Sequence, residues 1–313
     1  MDDLEEFTES TFLLMTILAG ATKALTIQIK QKRIKNIVHQ LNSDLFQPKL
    51  SEHHTVLVKA IDEIRFLFRL VSSNYGFNIT LLCIFPFFDN SKKLALPIKA
   101  WFPYSLESSP VFELTYLHQV TASFLFASLN CAFDTFFVSL IVHSIAQLDI
   151  LLSNLSMGHL EYWKDSDAET KVEDKMLYLK QCAIHHEVIV KYVEEIESLF
   201  NFSILVQFFM SGLILCINMF QITVAEPLSV QFLAIIVYEA CMLGQLYLYC
   251  WYGNELFLRS MMISEAAYFS DWYAQGTVYC QSLQIIMVRA TMPIQIRAGY
   301  FFSLSLETFT SVC

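Results

Sequence analysis

His185, His186 and Glu187 form a run of side chains that could ligate a metal. A metal needs its ligands to converge, and adjacent positions on a helix point about 100° apart. The HExxH spacing that places two imidazoles on one helix face is absent, so the triplet does not read as a metal site. His53-His54 fails on the same geometry. The chain has neither a glycine-rich phosphate loop nor a GxSxG nucleophile turn. Asn78-Ile79-Thr80 fits a glycosylation sequon but lies within an apolar run, where it is expected to stay unmodified. Asn154 and Asn201 also start sequons, on stretches expected to face the cytosol. Two acids, Asp134 and Glu239, and one base, Lys23, interrupt long apolar segments. They are the chemically informative residues, because a charge at the centre of a bilayer costs about 2.5–3.5 kcal/mol on insertion scales. Glu239 is expected to be neutral, paired or turned to a wet cavity. Lys23 is expected to snorkel to the inner surface.

The elements that carry these residues are apolar almost throughout. Of the 313 residues, 55% are hydrophobic and 16% charged, and the mean hydropathy is +0.46. Phe (27), Tyr (14) and Met (11) outnumber Gly (8) and Pro (7), a composition suited to helices in lipid around an aromatic interior. A net charge of −10 argues against a nucleic-acid partner. The eight cysteines form no CxxC pair and read as small buried hydrophobes. The first apolar run follows Asp2, Asp3, Glu5 and Glu6, whereas a cleavable secretory signal begins with positive charge.

A hydrocarbon core of about 30 Å takes about 20 apolar residues per helix. Spans are predicted over 7–29, 64–88, 113–148, 198–224 and 229–252. The third is too long for the bilayer and should protrude about 20 Å into the cytosol. The fourth should begin early, near Leu177, on an apolar series through Ile184, Val188, Val190 and Val193. Beyond it, a less hydrophobic helix is expected over 260–290, a break around Pro293 and Gly299, and a final helix from Phe301. Of the twenty Lys and Arg, nine lie in 23–69, five in 149–201 and three in 253–300, against three in 86–112. The positive-inside rule makes the first three stretches cytosolic and 86–112 an extracellular loop. The N-terminus is then outside, and the last helix is too short to reach the far face, so both ends are expected to be cut. Asp134, about 30 Å along its helix from Glu113, falls near the inner interface, where a structural hydrogen bond is the expected role.

The C-terminal residues carry a resemblance. Tyr252-Gly253-Asn254-Glu255-Leu256, Ser264-Glu265-Ala266-Ala267-Tyr268 and Trp272-Tyr273 are followed by Ile286-Met287, Arg289-Ala290, Pro293 and Ala298-Gly299. Phe302 and Ser305-Leu306-Glu307-Thr308-Phe309 close the series. This pattern resembles insect odorant receptors. Leu96-Pro97 with Trp101, Pro103 and Pro110, and Asp134 with His143, Gln147 and Leu151, agree more loosely. The TYxxxxxQF ending of the related gustatory receptors is absent.

The resemblance implies an all-α, polytopic membrane helical bundle, with long helices extending into a cytosolic anchor region and about six of seven family spans present. Residues 1–252 would form the transmembrane ligand-binding region, with an extracellular loop at 86–112 and a cytosolic one at 149–197. Residues 253–300 would be the cytosolic anchor where subunits meet, and 301–313 the start of a pore-lining helix. The ligand is then a volatile odorant, held by outer-half residues of four helices: Phe12, Met15, Thr16, Tyr75, Phe77, Thr80, Tyr116, Gln119, Ser123, Phe232 and Tyr238. Glu239 would be either a packed neutral acid or a group near that pocket. Tyr252, Asn254, Tyr268, Trp272, Arg289 and Pro293 would serve the subunit interface, and Ser305, Thr308 and Phe309 the pore helix.

The implied activity is that of an odorant-gated cation channel subunit. It would act with a co-receptor in a hetero-tetramer, in the plasma membrane of olfactory sensory neuron dendrites, without a cofactor. A gustatory-type receptor and a non-conducting truncated form are the alternatives. An intramembrane hydrolase is disfavoured, since no paired intramembrane acids or histidine clusters occur in the sequence.

Overall fold

A computed structural model describes residues 2–88, 96–98, 100–106, 109–157, 168–224, 229–270 and 272–312. Lys92, Lys93 and Lys99 of the expected outer loop, together with Lys164 and Cys313, lie outside the described residues. The helices in chain order are α1 (Asp2–Ile29), α2 (Gln31–Gln40), α3 (Ser51–Phe88), α4 (Val111–Met157), α5 (Ala168–Val224) and α6 (Val230–Tyr268). A single 3-10 turn (Trp272–Ala274), α7 (Thr277–Ala290), a two-stranded hairpin and α8 (Leu306–Val312) complete the chain.

Hydropathy locates these helices but understates their length. α5 begins at Ala168, ahead of Leu177, and α4 continues to Met157. Once an apolar segment has nucleated a helix, each added residue brings another backbone hydrogen bond, so the helix runs on past the apolar stretch. Among the described residues, four helices carry windows long and apolar enough to cross a bilayer: Ser10–Ile29, Val111–Ser156, Asp174–Val224 and Phe232–Tyr268. α3 covers the span expected over 64–88.

The tail departs from expectation. The helix predicted over 260–290 is two helices, because α6 runs unbroken through Tyr252 to Tyr268 and α7 starts only at Thr277. The cause is Gly276, whose extended backbone (φ −69°, ψ 162°) sets the start of α7. The final helix does not begin at Phe301 either. Gly299 and Tyr300 both have a φ of 62°, the positive values of a mirror-image hairpin turn. The turn is closed by the Phe301 N–H donating to the Ala298 carbonyl at 3.2 Å. β1 (Arg297–Ala298) and β2 (Phe302–Ser303) pair antiparallel around it, with Arg297 opposite Ser303 and Ala298 opposite Phe302. α8 follows because the Ser305 hydroxyl accepts the Thr308 N–H at 3.2 Å, an N-terminal cap.

The chain forms two compact units, each assembled from three separated stretches. Unit 1 comprises Met1–Leu25, Arg65–Phe136 and Val206–Leu246; unit 2 comprises Thr26–Ile64, Phe137–Leu205 and Tyr247–Cys313. Unit 1 leaves large apolar side chains exposed along α1 and α4, among them Leu14, Leu114, Leu117, Phe124 and Leu125. Unit 2 has the denser core. Phe137 packs against Phe200 and Tyr249 with ring centroids 5.3 and 5.2 Å apart, and Phe46 packs against Tyr192 at 5.3 Å. At Gly253 on α6 the Leu304 backbone comes so close that an added β carbon would stand 2.5 Å from the Leu304 carbonyl oxygen.

Candidate functional site

All eleven residues expected to hold ligand fall in unit 1. Two elements bring three of them together. Phe12 and Thr16 are one turn apart on α1, and Tyr238 of α6 meets both. Its ring lies edge-on to Phe12 at 4.8 Å, and its hydroxyl is 3.4 Å from the Thr16 hydroxyl. Thr16 also donates to the Phe12 carbonyl at 3.0 Å. Met15, immediately before Thr16 on α1, is half-buried, as is Ser123 on α4.

Most of the other polar candidates are engaged within the fold. The Tyr116 hydroxyl donates to the Cys83 carbonyl at 2.5 Å. Thr80 donates to the Gly76 carbonyl of its own helix at 2.8 Å. Gln119 is buried and grips the backbone of Ile98 with both ends of its amide. Its Nε2 donates to the Ile98 carbonyl at 2.9 Å, and its Oε1 accepts the Ile98 N–H at 3.1 Å. The Phe232 N–H donates to the Ser229 hydroxyl at 3.1 Å, capping the start of α6, and Phe77 is exposed.

Lys23 does not snorkel. It is 1% exposed and forms an ion pair with Asp134, itself 4% exposed, at 2.6 Å. Asp134 Oδ1 takes the ammonium, while Oδ2 accepts the Tyr75 hydroxyl at 2.7 Å and the Gln245 amide at 2.6 Å. The Lys23 ammonium also sits 5.4 Å from the centre of the Phe133 ring. One carboxylate thus gathers side chains from α1, α3 and α6 onto α4. The sequence showed both charges but not their pairing, since 111 residues separate them. Gln245 was missed outright. It is 111 residues from Asp134, lies on a different helix and carries no motif.

Glu239 is buried on α6, and Asn218 of α5 donates to its Oε2 at 2.7 Å. Its Oε1 is shielded and meets no hydrogen-bond donor among the described residues. Asn218 shares a polar stripe on α5 with Gln207, Ser211 and Gln221. Gln207 donates to Ser211 and to Gln245, and Gln221 donates to Thr8 of α1.

The anchor and pore candidates all lie in unit 2. The Tyr252 hydroxyl donates to Glu63 at 2.6 Å, and Asn254 and Pro293 are half-buried. Trp272 donates its indole N–H to the Tyr268 carbonyl at 3.0 Å, leaving the Tyr268 ring exposed, and Arg289 is exposed on α7. On the same helix Gln281, Gln284, Ile285 and Val288 line an open groove. Ser305 caps α8, Thr308 donates to the Ser303 carbonyl at 2.7 Å, and the Phe309 ring meets Tyr247 at 5.5 Å. Outside the spans, Lys30 donates to the carbonyls of Ser198 and Leu199 at 2.9 and 2.7 Å. Its burial, and secondarily the Arg33 guanidinium, lowers its pKa below the ordinary lysine value. Two of the candidate histidines are in ordinary hydrogen bonds: His185 with Gln147 at 3.0 Å and His53 with Asn154 at 2.9 Å.

Long apolar helices, lipid-compatible surfaces and polar groups tied to one another inside the spans define a multi-pass helical membrane protein. Residues 3–313 match the family described as 7tm Odorant receptor, and the chain belongs to that family. Membership places it among receptors rather than enzymes. It is 25% identical to odorant receptor Or1 of Anopheles gambiae, over 99% of this chain and 79% of that one. Odorant receptor 10 of Aedes albopictus is 28% identical over 74% of this chain and 60% of its own. Odorant receptor 46a, isoform A, of Drosophila melanogaster is 27% identical over 86% and 69%. The fold is similar to that of the insect olfactory receptor OR5 from Machilis hrabei, with a TM-score of 0.84 at 15% identity over 97% of this chain and 77% of that one. The same receptor in complex with eugenol gives 0.83.

Proposed function

We propose that the chain is the odorant-binding subunit of an odorant-gated cation channel, assembled with a co-receptor as a hetero-tetramer in the plasma membrane of olfactory neuron dendrites. Unit 1 would bind a volatile small molecule around the Phe12–Thr16–Tyr238 contact, with Met15, Ser123, Phe77 and Phe232 as further apolar or polar wall. Burial of an apolar ligand there would contribute at about 25 cal/mol per Å². Residues 253–300 would be the anchor between subunits, and 301–313 the start of the pore-lining helix. The complex of a similarly folded receptor with eugenol supports a small-molecule ligand.

The observation that carries the assembly is the apolar surface left uncovered in the tail. Tyr268, Phe269 and Tyr273, then Ile285, Val288 and Met292, then Phe301 and Phe302 are all exposed. An exposed apolar surface of this extent marks an interaction site. Gating would follow from tighter binding of odorant to the open state, which shifts the population toward it.

The test is co-expression with an odorant receptor co-receptor in cells, with whole-cell recording under a panel of volatiles and subunit counting by single-molecule photobleaching. Odorant-evoked cation current from mixed tetramers is the expected result. Volatile binding without current from a correctly assembled complex would favour the non-conducting form, and responses to sugars or bitter compounds alone would favour a gustatory type.

A further inference from the structure

α2 carries two lysines that the fold does not use. Lys30, Lys32, Arg33 and Lys35 follow directly on the end of α1, all in unit 2. Two of these cations turn into the protein. Lys30 donates to the Ser198 and Leu199 carbonyls at 2.9 and 2.7 Å, and Arg33 donates to the Ser198 hydroxyl at 3.2 Å. Ile34 is half-buried and Ile37 fully buried on that same side of α2. At about 100° per residue, Lys32 and Lys35 fall on the opposite side, one turn apart. Both are exposed, and among the described residues neither has a hydrogen-bond or ion-pair partner. Glu195 meets α2 at its far end, where it accepts the Gln40 amide at 3.1 Å.

Depth gives the free pair its setting. The apolar window of α1 ends at Ile29, which is 78% exposed. The span expected on α5 begins at residue 198, where Lys30 is docked. The inner ends of two spans thus meet at Lys30. Measured along a helix, Lys32 and Lys35 lie about 4.5 and 9 Å beyond Ile29. The head-group layer is about 5–8 Å deep on each side of the hydrocarbon, so both ammoniums reach it. The positive-inside count makes this side cytosolic, and the cytosolic leaflet carries the anionic lipids.

We propose that Lys32 and Lys35 form a head-group site for an anionic phospholipid of the inner leaflet, with its phosphate between the two ammoniums and its chains beside Ile29. Lysine binds phosphate as a point charge and needs no fixed fork geometry, which suits two exposed side chains. A soluble phosphate has to be captured from dilute solution, whereas a lipid is already held at this depth, at high effective concentration. An acidic protein that grips amphipathic helices is disfavoured, because α2 has ten residues and its apolar side is already buried. The site depends on the membrane fold and is independent of which odorant the chain binds.

The test titrates the 313-residue chain in detergent with phosphatidylserine or phosphatidylcholine of matched chains and counts bound lipid by native mass spectrometry. The wild type should prefer phosphatidylserine by roughly 25-fold, about fivefold for each lysine near an anionic lipid. Lys32→Gln with Lys35→Gln should abolish the preference, and Lys32→Arg with Lys35→Arg, which keeps both charges, should retain it. Lys49→Gln with Lys180→Gln removes two exposed charges elsewhere in unit 2 and should leave it unchanged. If the double glutamine variant at 32 and 35 unfolds, the single variants replace it, each losing about fivefold. Equal affinity of the wild type for the two lipids would overturn the proposal. Equal loss in the Lys49 and Lys180 control would do the same, by reducing the preference to bulk charge. Glycerophosphoserine, the head group without chains, should not displace the lipid at equal concentration; displacement would make the site one for soluble phosphate and sink the lipid. Binding of calmodulin, as an acidic-protein probe, with no lipid preference would overturn it in favour of a protein partner.

Discussion

Removing Asp134 should do more damage than removing Lys23, and removing both charges together should do less than the two single effects added. In Lys23→Met the carboxylate stays buried but keeps two neutral donors, the Tyr75 hydroxyl and the Gln245 amide. Breaking a buried pair from one side costs about 3–5 kcal/mol, and the retained donors should hold this substitution at the lower end. Asp134→Ala strands a fully buried ammonium beside the Phe133 ring, and it also removes the acceptor shared by two half-buried donors, Tyr75 and Gln245. Each such donor adds roughly 1–3 kcal/mol, so the total should exceed about 5 kcal/mol. Lys23→Met combined with Asp134→Ala removes both charges, so neither partner is left stranded. It should recover roughly 2–3 kcal/mol relative to additivity. The assay is a double-mutant cycle on detergent-solubilised protein, read as thermal unfolding by fluorescence-detected gel filtration, with surface expression alongside. Additivity within about 0.5 kcal/mol would refute the reasoning, because it would mean that the two charges do not sense each other.

Three further outcomes follow from named contacts. Gly253→Ala places a β carbon 2.5 Å from the Leu304 carbonyl oxygen, and the forced shift should cost about 1–3 kcal/mol, visible as a lowered unfolding temperature and faster hydrogen exchange over 297–305. Gln119→Ala releases both hydrogen bonds to the Ile98 backbone and should cost roughly 1–3 kcal/mol, with exchange protection lost at Ile98 and unchanged protection in unit 2. Val288→Glu introduces a charge at a position 69% exposed within the chain, so folding of the single chain should be unaffected. On native gels the same substitution should shift complexes with the co-receptor toward single subunits; intact tetramers would count against the anchor reading.

Apolar run length located α1, α4, α5 and α6 from sequence because the bilayer imposes a minimum of about 20 apolar residues on any helix that crosses it. It could not set their ends, which are governed by caps and by packing of more polar turns; α5 starts at Ala168 rather than near Leu177 for that reason. Gly299 and Pro293 marked a break, but the hairpin itself depended on the positive φ of Tyr300, an unfavourable conformation for a non-glycine residue that no local pattern announces. The eleven side chains to which the family resemblance points for the ligand all fall in unit 1. Their hydrogen bonds were not legible. Tyr75, Tyr116 and Gln119 are each held by a group that is distant or unremarkable in sequence: Asp134, the Cys83 carbonyl and the Ile98 backbone. Snorkelling of Lys23 was the reasonable expectation for a lone base near a helix end, and a carboxylate on another helix overrode it.

The seat of Leu304 on Gly253 has a mechanical meaning. Side chains between packed segments act as cushions, since rotamer changes absorb small displacements before the main chain has to move. Where main chain rests directly on main chain there is no such cushion. Pushing residue 304 toward α6 must push α6 itself, and a tilt of α6 at residue 253 must carry the turn ahead of α8 with it. The joint therefore behaves as a stiff bearing rather than a spring, and motion reaching either side of it arrives on the other undiminished.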